Sequence, residues 1–320
     1  MSRTVLGLDT SCYTTSVALV DEHGRMEQKR RLLSVPQGER GLMQSKGVFQ
    51  HIQRLPELME ALLKGQEEIA AVAASTRPRP VEGSYMPVFT ASESVGRSLA
   101  AALRVPFYAT SHQQGHIRAG MANNPMPERF LAVHLSGGTT EVLLVEGDEL
   151  QITLLGGDAD LHAGQMVDRV GVAVGCEFPA GPAMEALARE CAGEGVVLPS
   201  SVRGFSVSFS GAESQAQRFL EAGESPERVA KGVLMCIARS LTKLLAHAVK
   251  ETGISDVLLV GGVAQNLLIQ HELTARLAKM RIPVKLRFAD KSLSGDNAVG
   301  VALIGLAALQ KEESHECTNH

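Results

Sequence analysis

Residues 5–21, VLGLDTSCYTTSVALVD, decide the fold when set beside residues 130–146, FLAVHLSGGTTEVLLVE. Aligned without a gap, they match Ser11 with Ser136, Thr14 with Thr139, Thr15 with Thr140, Val17 with Val142, Leu19 with Leu144 and Val20 with Val145. Each stretch reads as an apolar strand, a small polar turn and a second apolar strand, which is a β-hairpin tipped with Ser, Thr or Gly. A solenoid repeats every ~20–50 residues. A spacing of about 125 residues is far longer and points to duplicated lobes instead.

Working outward from the hairpins, strands and helices alternate. The first half predicts a helix over 51–65, a buried strand over 69–75, a loop over 76–86, a helix over 91–103, a strand over 106–109 and a helix from Ser111. Residues 121–129 read as a crossing. The second half predicts helices over 164–174 and 183–191, a loop over 193–204, a long amphipathic helix over 226–252, a strand over 256–260, a helix over 263–279, a strand over 284–288 and a last helix over 297–309. A polar tail follows Lys311. This alternation places the chain in the α/β class.

Composition removes several functions. The 320 residues are 44% hydrophobic, enough for extensive burial, but only 4% aromatic and without Trp. A surface that stacks single-stranded bases on rings is therefore not expected, and a formal charge of −4 gives no global basic field. The amino terminus lacks a signal-peptide pattern, and no apolar run reads as a bilayer span. Five scattered cysteines with no CxxC pair argue against a disulfide frame and for a reducing, cytoplasmic location.

Five segments carry chemistry. Ser136-Gly137-Gly138-Thr139-Thr140 is a phosphate candidate, since glycines admit backbone N–H groups to an anion and hydroxyls add donors; an ordinary hairpin turn explains it equally well. Asp9 and Ser11, the candidate catalytic residues, sit in the matching tip of the first hairpin, where Asp9 is either a magnesium ligand or water-positioning group, or a turn-capping residue. In the run from Leu258 to Asn266 a buried strand meets Gly261-Gly262 and then a helix, so backbone can approach a ligand and Asn266, one turn in, can bond a ribose or base edge. His112 and His116, four apart, share one helix face and can meet one metal ion; Gln113 stands where a zincin protease needs its Glu base. Asp296 reads as a helix cap or as the third, oxygen ligand of a two-histidine site suited to Fe²⁺ or Zn²⁺. The alternating stretch 205–211, FSVSFSG, reads as a half-buried strand with a solvated serine face.

Taken together, LDTSC, HQQGH, LSGGTT, AGQMVDR with PAGP, GGVAQN and GDN, in this order, resemble the Kae1/TsaD family of tRNA threonylcarbamoyladenosine synthases. The resemblance runs over nearly the whole chain. It implies the two-lobed ASKHA fold (actin, sugar kinase, Hsp70) with a nucleotide cleft between the lobes. Lobe I would comprise 1–127 plus 293–310, lobe II 128–292, with a frayed tail over 311–320. It implies a metal held by His112, His116 and Asp296, a phosphate-side segment of Leu135, Ser136, Gly137, Gly138 and Thr139, and nucleotide contacts from Asp168, Gly181 and Asn266, beside the Gly261-Gly262 turn. Departures from the family pattern stand at Tyr13, Thr14, Thr139, residues 77–80 (RPRP), Leu161, Gln165, Glu213 and Ser214. They read as a divergent paralogue whose nucleotide and metal sites are kept while its transfer chemistry is altered.

The function so implied is transfer of threonylcarbamoyl from its AMP anhydride to N6 of adenosine 37 in tRNA. The cofactors would be one divalent metal, Fe²⁺ or Zn²⁺, and an ATP, ADP or AMP-type nucleotide with Mg²⁺. The partners would be an acyl-adenylate, tRNA, and a second copy or heteromeric complex, with no membrane. Alternatives are a different acyl acceptor, or a non-catalytic ATP/ADP-binding partner protein. A metalloprotease is disfavoured for want of its base.

Overall fold

The first hairpin comprises β1 (Thr4–Thr10) and β2 (Thr14–Asp21), paired antiparallel with Thr10 opposite Thr15. The second comprises β6 (Arg129–Ser136) and β7 (Thr139–Glu146), with Leu135 opposite Thr140. The two registers are therefore the same under the sequence alignment. The computed structural model describes residues 3–35, 42–64 and 68–318. The chain divides into two compact units, Met1–Asn123 with Ser292–His320, and Asn124–Lys291.

In unit 1 each hairpin strand gains a neighbour that alternation alone did not reveal. β3 (Met26–Leu32) is polar and mostly exposed, and pairs antiparallel with β2 as the sheet edge. On the other side β4 (Ile69–Arg77) and β5 (Phe107–Ser111) run parallel to β1, giving the order β3-β2-β1-β4-β5. β1 is apolar without alternation because both faces are covered. Leu6 and Leu8 pack with Val17 and Leu19 against α1 (Gln44–Leu62) and α2 (Phe89–Leu103). Val5, Ala18 and Val20 pack against the last helix, α10 (Val299–Thr318), through Val301, Ala302, Leu306 and Leu309. That helix continues past Leu309, into the stretch expected to fray. α3 (His112–Met121) begins directly at the carboxyl end of β5.

Unit 2 repeats the plan. β8 (Gln151–Gly157) extends the β6–β7 hairpin, while β11 (Asp256–Val260) and β12 (Lys285–Phe288) lie parallel to β6, in the order β12-β11-β6-β7-β8. α4 (Ala163–Ala173), α5 (Gly181–Glu190), α6 (Ser210–Glu221), α7 (Pro226–Thr252) and α8 (Leu267–Lys279) supply the helical layer, and a short α9 (Lys291–Ser294) marks the return to unit 1. α7 is long and apolar enough to cross a membrane by length and composition, contrary to the reading of the sequence, but most of that stretch is buried within the protein. The loop expected over 193–204 contains β9 (Ser201–Arg203), which forms a two-stranded ribbon with β10 (Ser206–Ser208).

One sequence expectation fails for a local reason. The helix expected over 263–279 is broken: Val263–Gln265 forms a 3₁₀ turn and α8 starts only at Leu267, because Asn266 accepts the Ile269 N–H (3.0 Å) as its N-cap. The serines of FSVSFSG do lie on an outer face, Ser206 and Ser210 exposed and Ser208 partly so, while Val207 and Phe209 are buried. Ser208 and Ser210 donate to the Asp160 carboxylate, which also accepts from the Phe209 N–H (3.1 Å). Burial works against the Asp160 carboxylate, but these bonds prevail and bring its pKa down to about 2.

Candidate functional site

In unit 1 the chemistry collects at the carboxyl ends of the parallel strands β1, β4 and β5. β5 ends at Ser111, whose hydroxyl accepts the Gln114 N–H (3.2 Å) and starts α3 with a capping box. The Pro78 carbonyl, from the loop after β4, takes the Gln113 N–H (3.0 Å). The first turn of α3 is thereby fixed, and His112 and His116 lie one above the other on its face, ring centroids 4.5 Å apart. Asp296 arrives from a segment 180 residues further on. It is not a helix cap. Asn297 takes that task, accepting from the Val299 N–H (3.0 Å), so the Asp296 carboxylate is left to face the rings.

His116 Nε2 lies 3.1 Å from both His112 Nε2 and Asp296 Oδ1, and His112 Nε2 lies 3.6 Å from that oxygen. Three Lewis bases so close need a shared positive charge. A circle through them has a radius of about 1.9 Å, close to the usual ~2.0–2.2 Å between such an ion and N or O ligands. His116 is buried, while His112 and Asp296 are partly open, which leaves a side for further ligands. The residues therefore fit a two-histidine, one-carboxylate metal centre. The protonation equilibria report the same field. Burial disfavours the His112 imidazolium, but the Asp9 and Asp296 carboxylates outweigh it and lift its pKa well above the usual histidine range. Burial likewise opposes the Asp296 carboxylate, yet hydrogen bonds from His112 and His116 pull its pKa well below the usual range. Burial pushes the neighbouring Cys12 thiol up, which keeps it out of the thiolate form.

Each ligand is held from behind. Asp9, at the end of β1 and fully buried, places Oδ1 2.9 Å from His112 Nδ1. It accepts that N–H and leaves the Nε2 lone pair facing the centre, the usual carboxylate–histidine support of a metal ligand. A carboxylate enclosed in this way is not the open magnesium ligand that the sequence also allowed. Ser11 donates to Asp296 Oδ2 (2.6 Å), leaving Oδ1 for the histidines, so the serine positions a ligand. His51 was missed by the sequence reading. It lies buried on α1, with Nε2 2.8 Å from the Ser11 carbonyl and Nδ1 2.8 Å from the Thr15 hydroxyl, and it fixes the hairpin tip. Its signal was a histidine in register with the buried Leu55, Leu58 and Leu62 face of an amphipathic helix.

In unit 2 the two glycine turns expected to face a nucleotide follow the carboxyl ends of β6 and β11, where open α/β sheets place ligands. Ser136 pairs with Thr139 across the two-residue tip Gly137-Gly138, while Leu135 just before it is buried. A Cβ on either tip glycine would meet open space. Packing therefore does not demand glycine there, and a ligand can approach the backbone. Elsewhere packing does demand it. A Cβ at Gly164 would lie 2.4 Å from the Ser136 carbonyl, so α4 stacks directly on the turn. Gly261 has φ +98° and lies against the Leu135 carbonyl, with Gly262 next to it and open. Further along α4, Asp168 accepts the Ala180 N–H (2.8 Å) at the entry to α5, beside Gly181, and burial raises its pKa. The start of α8 next to Asn266 meets α5 through the Leu267 N–H and Glu185 (3.3 Å). Asp168, Gly181 and Asn266 thus belong to one corner, with the Asn266 side chain committed to its cap.

The family model of tRNA N6-adenosine threonylcarbamoyltransferase, TsaD, matches residues 41–303. The chain belongs to the TsaD family. The tRNA N6-adenosine threonylcarbamoyltransferase of Thermus thermophilus is 32% identical over 97% of this chain and 93% of its own length. That of Methanopyrus kandleri is 29% identical over 94% and 86%. Solved structures extend the fold beyond TsaD. The (R)-2-hydroxyglutaryl-CoA dehydratase component A of Acidaminococcus fermentans matches with TM-score 0.58 and 16% identity over 96% of this chain and 99% of that one. A ROK glucokinase of Streptomyces griseus, in complex with glucose and AMPPNP, matches with TM-score 0.54 and 11% identity over 94% and 98%. The TsaD chain thus has the ASKHA fold.

Proposed function

We propose that this TsaD-family protein transfers a threonylcarbamoyl group from threonylcarbamoyl-AMP to N6 of an adenosine in tRNA. The observation that carries the reading is the convergence of His112, His116 and Asp296 at 3.1–3.6 Å, with Asp9 behind His112. The names of the family and of its relatives support the substrates.

His112, His116 and Asp296 would hold Fe²⁺ or Zn²⁺. Bound there, the ion supplies Lewis-acid polarisation of an acyl or phosphoryl oxygen. The chain's own residues do the rest. Asp9 sets the His112 tautomer and Ser11 holds the second oxygen of Asp296, so the donor triangle keeps its shape. The exposed tip Gly137-Gly138 offers backbone N–H donors to the phosphate of the adenylate, stabilising AMP as it leaves. The corner of Asp168, Gly181 and Asn266 is the place for the nucleoside end. A cytoplasmic location suits the described cysteines, Cys12, Cys176, Cys191 and Cys236, all of them free thiols.

The test supplies threonine, bicarbonate, ATP, a threonylcarbamoyl-AMP synthase and unmodified tRNA, and follows threonylcarbamoyladenosine by mass spectrometry. Product is expected with the native chain and should vanish in His112→Ala. Nucleotide binding by the native chain without any modified adenosine would remove the reading.

A further inference from the structure

Unit 2 contains a histidine–carboxylate pair that the metal centre and the glycine turn do not use. His162 Nδ1 lies 2.8 Å from Asp158 Oδ1. The pair is mounted on a single residue of the second hairpin. The Asp158 N–H donates to the Thr140 carbonyl (3.0 Å), and the N–H of Ala163, next to His162, donates to the Thr140 hydroxyl (2.9 Å). Thr140 follows the glycine tip, and α4 stacks on that tip at Gly164. The imidazole is thus tied by short, rigid connections to the turn assigned to the leaving phosphate.

Its chemistry follows from the pairing. The carboxylate accepts the Nδ1–H, so the neutral ring carries its lone pair on Nε2. Asp158 is largely covered, at 13% side-chain exposure, whereas His162 keeps 32%. A largely covered orienting carboxylate with an accessible ring is the base half of a catalytic triad, lacking only the nucleophile. In the transfer proposed above, the nucleophile arrives with the substrate.

Resting on that reading, we propose that His162, oriented by Asp158, is the general base of the transfer. The lone pair of an adenine N6 amine is delocalised into the ring, so its nitrogen becomes nucleophilic only as an N–H proton departs. The nitrogen forms a bond to the carbamoyl carbonyl carbon. The bond from that carbon to the phosphate oxygen breaks, and its electron pair leaves on AMP. The N–H proton passes to His162 Nε2 and from the imidazolium to water. No oxidant or further reactant is needed.

Single-turnover transfer from threonylcarbamoyl-AMP to unmodified tRNA, measured alongside nucleotide affinity, tests this. His162→Gln can still donate to Asp158 but cannot take the proton. It should lower the rate ~10²–10⁴-fold while the Kd for AMP stays within about twofold of native. Added imidazole should restore part of the rate in His162→Ala. A His162→Gln rate within about twofold of native, alongside an inactive His112→Ala, would overturn the base while leaving the transfer reading intact. Loss of AMP affinity matching the loss of rate would make the pair a phosphate holder, and absence of imidazole rescue would reduce it to a structural brace. No product from the native chain would remove both readings.

Discussion

Asp9 shows how much a single buried group can decide. Its Oδ1 bonds His112, its Oδ2 is buried and accepts no hydrogen bond, and the residue has no solvent exposure. Such a carboxylate is costly unless a positive charge stands close by. His112, whose imidazolium form Asp9 favours, stands within hydrogen-bond reach. Asp9→Asn keeps size and an acceptor but loses the charge. It should weaken binding of Zn²⁺ or Co²⁺ by about 10–100-fold, the usual effect of removing such a support, with the fold retained by circular dichroism. Competition against a chelator checks this, and an unchanged affinity would reduce Asp9 to packing. The two histidines and Asp296 were legible as types at plausible spacing. The supports were less so, because Asp9, Ser11 and His51 become partners only when β1, α1, α3 and the 295–297 turn are brought together.

At the level of elements, the metal centre depends on how α3 meets α10. A Cβ built at Gly300 would lie 1.8 Å from the Gly115 carbonyl, closer than any side chain tolerates. Gly115 lies between the two histidines in sequence, and Gly300 follows Asp296 by one turn. Gly300→Ala should therefore push the helices apart and widen the donor triangle. The expected cost is about 1–3 kcal/mol of stability, the range for overpacking, together with weaker metal binding. Urea unfolding and the same chelator competition measure both, and a stable variant with native affinity would disprove the coupling. Element boundaries were read well where periodicity was long, as in α7, which spans Pro226–Thr252 as expected. They were misread where a side chain intervened, as at Asn266, whose cap ends one turn and begins the next helix. β3 was overlooked because an exposed edge strand such as MEQKRRL carries no apolar alternation.

On the scale of the whole chain, unit 1 is assembled from two distant segments, and α10 closes its sheet by covering Val5, Ala18, Val20, Ala71 and Ala73. Unit 2 is continuous and has its own core. Ending the chain after Ala298 should leave Asp296 in place covalently yet abolish metal binding, because one face of the unit 1 sheet is laid bare. Calorimetry should then show the unit 2 transition alone. Native metal affinity in the shortened chain would contradict this dependence on α10.

The repeated hairpins, the α/β alternation, the candidate ligands and the family were all determined by the sequence, because each is carried by local pattern or by motifs in fixed order. Tertiary structure alone decided which of the candidates meet. Asp296 and His116 stand 180 positions apart in the chain and 3.1 Å apart in space. That closeness is set by strand register, by two helices packed glycine against carbonyl, and by Asn297 taking the cap that would otherwise have occupied the carboxylate. The physical reason is that a ligand set is a matter of distances between side chains on different elements, and such distances are fixed by packing, which no spacing along the chain encodes.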